Sequence, residues 1–375
     1  MTPFFQFVPK GEDLEPDRTF LLCDGKVISG DLSLYFWTDG TVEQIPEQSE
    51  TYFYAYDACD GRRENGTAKA CCRIVQEVKA GSFAELSVVF SLEKNCLRQM
   101  HLAEEGEDGV KRAGSEAGGN AGIGDEAGSV NSCAEQIIRE LREYRKELAD
   151  RSGFADENAR FLAKSADQFI SDRASTGGKT ILAGYPFFED WGRDTMIALP
   201  GVCISTGRYK EAESILRTFA QYEKNGLMPN LFPEGTSEPM YNTVDAALLF
   251  INCVWLYYEA AGCREFVSEM LPVMERIVTA YREGTDYNIH MDADGLIAAG
   301  SGLDQVTWMD ARVGEILPTP RHGKPVEINA YWYNALKIMG ECSCLLGLDG
   351  SAYERLAEQV KASFLNQFWR EDARC

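Results

Sequence analysis

Apolar side chains change their spacing along this chain. Up to about residue 100, short runs of β-branched and aromatic residues at 19–27, 32–37, 51–56 and 86–92 alternate or cluster between Gly, Asp and Pro, which predicts antiparallel strands. From Cys133 onward the apolar positions recur three and four apart. That spacing predicts helices over 134–148, 158–170, 209–222, 243–261, 266–281, 326–346 and 353–368, with one more over 195–205. Between the two regimes, residues from about Glu104 to Ser132 are mostly Gly, Ala, Glu and Asp with almost no large apolar side chain, so they cannot build a core. The chain therefore divides into a small β domain at 1–102, a flexible Gly/Ala/Glu-rich linker at 103–133 and a helical domain at 134–375. Three connections in the helical part, 180–194, 225–242 and 292–324, are long and rich in Gly, Pro, Trp and carboxylates. Loops of that length are uncommon unless functional. Alternating short and long connections predict an α-helical toroid whose long loops gather on one face around a pocket.

Composition narrows the partners. The 375 residues can bury a large core, and a formal charge of −22 opposes binding to nucleic acid or to an anionic membrane. A neutral carbohydrate suits such a surface. No run reaches the roughly 18 apolar residues of a membrane span, and the start lacks a basic region followed by an apolar one, so the chain reads as cytoplasmic. In that setting the twelve cysteines are expected to be reduced and often buried. His101, His290 and His322 lie far apart and no HExxH pattern occurs, so neither a metal nor another cofactor is expected. The GxG of GGNAGIGDEAG follows no strand, and Gly178-Lys179-Thr180 lacks the upstream glycine of a phosphate loop; both read as loop glycines.

The chemistry concentrates in the three long loops. YPFFEDWGRDTMIALPG, residues 185–201, crowds aromatic rings and an Arg193-Asp194 pair at the head of a helix. A pyranose stacks its C–H faces on aromatic rings and needs fixed polar partners for its hydroxyls. Trp191, Arg193 and Asp194 could supply both, although an Arg-Asp ion pair tying a loop to a helix is an equally plain reading. The second loop ends in Tyr241-Asn242-Thr243-Val244-Asp245, where either helix capping or a pocket wall fits. The third carries Trp308 beside Asp310, then Glu327, Asn329 and Trp332 as a helix opens after Pro325, which reads as its first residue. A carboxyl beside an aromatic wall can be desolvated and kept protonated near neutral pH, as a glycosidic leaving group demands of its acid.

These blocks, together with PNLFPEGTSEPMYNTVDAALLF and TWMDARVGEILPTPRHGKPVEINAYWYNAL, resemble the signature blocks of the bacterial and archaeal glycogen-debranching enzyme family, in its amylo-α-1,6-glucosidase domain. The resemblance covers roughly residues 135–375; the region 1–100 is only loosely similar to the family's preceding β-sandwich. It implies a mainly α (α/α)6 barrel, a six-hairpin toroid, here incomplete at the C-terminus and preceded by a small partial β-sandwich domain. It further implies an inverting glycosidase that releases glucose from α-1,6 branch points of an α-glucan such as glycogen or limit dextrin. Asp310 matches the general acid, and Arg193 with Asp194 the pair that holds the terminal glucose. Trp191, Tyr241, Asp245, Trp308, Glu327, Asn329 and Trp332 are expected around them. No residue matches the family's base, for which Glu327 and Asp245 are weak substitutes. Another exo-glycosidase of the same helical class, or a non-catalytic glucan-binding fragment, are the alternatives.

Overall fold

The computed structural model describes residues 1–8, 13–59, 64–94, 127–184, 188–232 and 238–372. Their backbone divides into two units, Met1–Tyr144 and Arg145–Cys375. The first unit carries strands β1 (Leu21–Cys23), β2 (Lys26–Ser29), β3 (Leu32–Thr38), β4 (Thr41–Phe53), β5 (Asn65–Val75) and β6 (Val88–Ser91), with a short helix α1 (Ala55–Cys59). β1, β2, β3 and β6 form one antiparallel sheet in that order, and β4 pairs with β5 in a ribbon. The strand predicted over 19–27 is two strands, because Asp24 and Gly25 both take positive φ (46° and 71°) and turn the chain in a tight hairpin. The register of β4 on β5 slips between Gln44 and Gln48, around Pro46, which has no N–H to give the ladder. Phe5, Phe20, Val27, Phe36, Cys72 and Ile74 form the core of this unit. β5 escaped the periodicity because its burial is nearly continuous along NGTAKACCRIV rather than alternating.

The predicted linker differs from the structure where the two can be compared. Residues 103–126, His101 and the glycine-rich GGNAGIGDEAG lie wholly or mainly outside the described residues, and 127–133 already belong to α2 (Ala127–Arg151). Val130 and Cys133 on its first turns are buried with Val89, and that packing overrides weak local helix propensity.

The second unit is helical: α3 (Glu157–Ala166), α4 (Gly192–Leu199), α5 (Tyr209–Gln221), α6 (Ala246–Ala261), α7 (Arg264–Glu283), α8 (Val326–Leu346) and α9 (Ser351–Phe368). α6 has nine buried residues and is apolar all round, as a helix surrounded by others must be, and it packs on α4, α5, α7 and α8. Gly262, left-handed at φ 69°, ends α6 one residue before the cap of α7, so the two form a helical hairpin; Gly347 does the same between α8 and α9. The mainly α architecture of successive helical hairpins expected from the sequence is the one observed. A π-helical turn at Pro200–Ile204 extends α4. The helix predicted to run to residue 170 is α-helical to Ala166 and continues as a 3-10 turn over Asp167–Phe169, after which the hairpin β7 (Ile170–Arg173) and β8 (Gly178–Ile181) follows. Gly178 thus opens a strand and is not a loop glycine. β9 (His290–Met291) and β10 (Ile297–Ala298) pair between α7 and α8, across the start of the third long connection. Among the described residues no helix is long and apolar enough to cross a membrane, and the described cysteines are all free, six of them buried.

Candidate functional site

The three long connections meet at the N-terminal ends of α4, α6 and α8. The backbone of Trp191 bridges Leu231, and the Gly192 N–H donates to the Asn230 carbonyl at 2.8 Å. Only glycine fits there, since a Cβ on Gly192 would lie 1.9 Å from the Pro229 carbonyl oxygen. The Val244 N–H donates to Val306 O at 2.9 Å, and Asn230 Nδ2 donates to Asn242 Oδ1 at 2.7 Å. Backbone hydrogen bonds therefore hold the loops before any charged contact is made. Of the first motif, Tyr185, Pro186 and Phe187 lie outside the described residues, as do 233–237 of the second.

Arg193 stands at the junction. Buried in the first turn of α4, its Nε donates to Asp245 Oδ2 at 2.5 Å and its Nη1 to Asp310 Oδ2 at 3.3 Å, so one guanidinium joins one carboxylate from each of the other two loops. Burial works against its charge, but Asp245 and Asp310 reverse that effect and raise its pKa. Burial pushes the Asp245 carboxyl up while the guanidinium pulls it down. Burial outweighs that pull and leaves the Asp245 carboxyl above its ordinary value, while the arginine stays charged. Two atoms of the pair are left over: Arg193 Nη2 and Asp245 Oδ1 are buried without a well-formed hydrogen bond, although the neighbouring Thr243 side chain helps to stabilise the carboxylate. A buried donor and acceptor without full partners cost free energy, and a ligand bearing both kinds of group would recover it.

The structure corrects several expectations. Asp194 does not pair with Arg193; it is exposed beside Phe169, Ile181 and Ile197, because neighbouring helical residues point about 100° apart. The acidic partner of Arg193 is Asp245, which sits at the N-cap of α6 but spends its side chain on Arg193 rather than on capping. Asn329 is fully buried and bonds the backbone of β10, accepting from the Ile297 N–H at 2.7 Å and donating to Ile297 O at 3.1 Å. Trp332 is likewise core, stacked on Tyr281 with its indole N–H on Gly295 O. Neither can line a pocket. Tyr241 gives its hydroxyl to Tyr222 O at 2.5 Å, and burial pushes its phenol up to about 12. That contact ties the second loop to the end of α5. Pro325 is the cap of α8, outside the helix, with extended backbone.

Glu327, in the first turn of α8, forms a two-pronged pair with Arg321. Burial pushes its carboxyl up, yet Arg321, its own backbone N–H and the Trp308 indole N–H hold it below the ordinary value of 4.5. Trp308 is exposed, and Asp310 is partly open to solvent. Trp191 is half-buried at the start of α4. One neighbour was missed: Tyr331, half-buried, feels the charges of Asp245, Glu327 and Arg193, and burial followed by the two carboxylates pushes its phenol up. Its spacing of four from Glu327 puts both on one face of α8, which is the signal that could have found it.

Comparison with known proteins follows the same blocks. Residues 164–375 match the amylo-alpha-1,6-glucosidase family. A glycogen debranching enzyme of Saccharomyces cerevisiae (strain ATCC 204508 / S288c) is 29% identical over 249 residues, which covers 48% of this chain and 16% of the yeast protein. The chain therefore spans about a sixth of that relative's length. Among solved structures, a metal-independent α-mannosidase of Streptococcus pneumoniae aligns at TM-score 0.42 and 13% identity, covering 60% of this chain and 62% of that one. A GH78 family rhamnosidase of Bacillus sp. GL1 aligns at TM-score 0.37 and 16% identity, covering 49% and 18%.

Proposed function

This chain belongs to the amylo-alpha-1,6-glucosidase family, a family of glycosidases, and from that membership we propose that it carries the part of a debranching glycosidase that holds and cleaves an α-1,6-linked terminal glucose. The observation that carries the reading is the Arg193 junction, a buried guanidinium spanning two carboxylates with Nη2 and Asp245 Oδ1 lacking a well-formed hydrogen bond. Adjacent sugar hydroxyls offer one acceptor and one donor to such a pair, and charge-assisted bonds to them are strong. The terminal glucose sits at this buried end. Asp310, bound to the same guanidinium but partly open to solvent, lies where the glycosidic oxygen leaves the buried end, and as general acid it gives that oxygen its proton. Attack by water from the opposite face inverts the anomeric carbon, with a base about 6.5–9.5 Å from the acid. Glu327 is held ionised against Arg321, and no residue described here is assigned as that base. The substrate is an α-glucan such as glycogen or limit dextrin.

The test is glucose release from a singly α-1,6-glucosylated maltooligosaccharide, with the product anomer followed by NMR. Asp310→Asn is expected to lower the rate by about 10²–10⁴, the usual share of a general acid, while the oligosaccharide still binds. Unchanged turnover in that variant removes Asp310 from the role. Initial release of the α anomer would rule out inversion.

A further inference from the structure

Asp310 stands in a stretch that gives it little support of its own. It belongs to no helix or strand, and the six residues after it, 311–316, are all exposed. Its carboxyl meets Arg193 at 3.3 Å, longer than the roughly 2.7–2.9 Å of a tight charge-assisted bond. The residues just before it are firmly placed by contrast. Val306 and Thr307 are buried, and the Val306 carbonyl accepts from the Val244 N–H at 2.9 Å. Ser301 and Asp304 close a turn on each other, the Ser301 N–H on Asp304 Oδ2 and the Asp304 N–H on Ser301 O, both at 2.9 Å.

Gln305 bridges the anchored part of the loop to the loose one. Its Nε2 donates to the Asp310 carbonyl, the one hydrogen bond that the Asp310 backbone makes among the described residues. Behind it, the Gln305 carbonyl accepts from Asn242 Nδ2 at 3.4 Å, and Asn242 Oδ1 accepts from Asn230 Nδ2 at 2.7 Å. A carbonyl only accepts, so the direction of this chain is fixed, from the buried Asn230 on the second loop to Asp310 on the third. A side chain that closes so short a span of its own loop removes most of the freedom the span would otherwise have.

We propose that Gln305 is a positioning residue for the hydrolysis: by holding the Asp310 carbonyl it fixes where the acid carboxyl stands, and Asn242 and Asn230 steady Gln305 from the second loop. The proposal rests on the assignment of Asp310 as acid. It links the buried amides of one loop to the proton donor of another, and it explains how a carboxyl in an irregular, partly open stretch is kept in one place.

The experiment compares two substrates with the full chain: an α-1,6-glucosyl-maltotriose, whose sugar leaving group needs a proton, and α-glucosyl fluoride, whose leaving group departs with little help from an acid. Gln305→Met keeps the length of the side chain and loses the donor. It is expected to lower kcat on the oligosaccharide about tenfold to a hundredfold with KM little altered, the cost of misplacing a catalytic group by about 1 Å, while kcat on the fluoride stays close to that of the unaltered chain. Gln305→Glu, of the same shape but ionised and unable to donate, should show the same split and decides the matter where Gln305→Met does not fold. Asn242→Ala should show it more weakly, since the Val244–Val306 bond remains. Equal losses on both substrates, or no loss on the oligosaccharide, overturn the positioning role. Asp310→Asn separates the two assignments: if it shows the split and the Gln305 variants do not, Gln305 alone is wrong; if it shows no split, the acid is wrong and the proposal falls with it. If the unaltered chain cleaves neither substrate, the hydrolytic reading fails separately and crystal structures decide the positioning. In Gln305→Met the Asp310 carboxyl is then expected to leave Arg193, and a contact kept at 3.3 Å overturns the proposal.

Discussion

Two buried arginine–aspartate pairs in the helical unit start from the same chemistry and end differently. Arg173 donates to Asp190 Oδ1 at 2.6 Å and to Phe232 O at 2.9 Å, and the second oxygen of Asp190 accepts from Thr180 at 2.8 Å. Every oxygen of that carboxylate is used. Arg193 and Asp245 are as deeply placed, but each keeps one buried atom without a well-formed hydrogen bond, and the guanidinium has a second contact in Asp310. Burial pushes both aspartates up, so their environments tax the charge alike. What separates a lock from a site is saturation. The first pair has both carboxylate oxygens occupied and ties β7 and β8 to the loops around them; the second keeps a donor and an acceptor that, on the reading proposed above, sugar hydroxyls would take up.

The sharpest way to break this contrast is to remove the saturated pair. Arg173→Met leaves Asp190 buried and uncompensated, and is expected to cost about 3–5 kcal/mol of unfolding free energy in denaturant titration. Glucose affinity, measured where the variant is still folded, should persist. A fully stable Arg173→Met protein would show that Arg173 is no lock.

The second change acts on the unsaturated pair. Asp245→Asn keeps the size of the side chain and a hydrogen-bond acceptor toward Arg193, so its cost in stability should be smaller than that of Arg173→Met. Its cost in glucose binding should be larger, about tenfold to a hundredfold by calorimetry, because a charge-assisted bond to a sugar hydroxyl is worth roughly 1.5–3 kcal/mol. Affinity equal to that of the unaltered chain would mean the spare atoms of Arg193 and Asp245 face no sugar.

How much of this was legible follows from what each residue type can announce. Helices such as α8 could be read at their observed limits, since apolar positions three and four apart can serve little else. That the three long connections belong together was visible in their length and residue types. Which carboxylate answers Arg193 was not, because Asp194 is its neighbour in sequence and Asp245 lies 52 residues away, and only the meeting of α4 with α6 chooses between them. Asn329 and Trp332 misled for a related reason. A polar amide and a large ring beside acidic residues look like pocket lining, yet both can turn inward to satisfy the backbone of a loop, as they do on Ile297 and Gly295. Tyr331 was hidden in the same run, one helical turn beyond Glu327. The strand β5 was lost because small buried residues on both faces erase the alternation that marks a strand.

A third pair lies between the two extremes and carries the smallest expected effect. Arg321 and Glu327 are bonded on both carboxylate oxygens, as a lock would be, but their side chains remain 23% and 21% exposed, so solvent screens them more than it does Arg173 or Arg193. The sign of their pH dependence follows from the Glu327 carboxyl being held below its ordinary value of 4.5 in the folded protein. A group depressed in this way adds stability that is present above the unfolded value and is lost as the pH falls through the folded one. Glu327→Gln cannot titrate, so its stability lacks that component at every pH. The gap in unfolding midpoint between the unaltered chain and Glu327→Gln is therefore expected to be widest near neutrality and to close on acidification from about pH 6 to about pH 3. A gap that stays constant over that range would mean Arg321 favours the neutral amide as well as the carboxylate. Saturation without burial would then be too weak to make a lock, and burial, rather than bond count alone, would be what sets Arg173 and Asp190 apart.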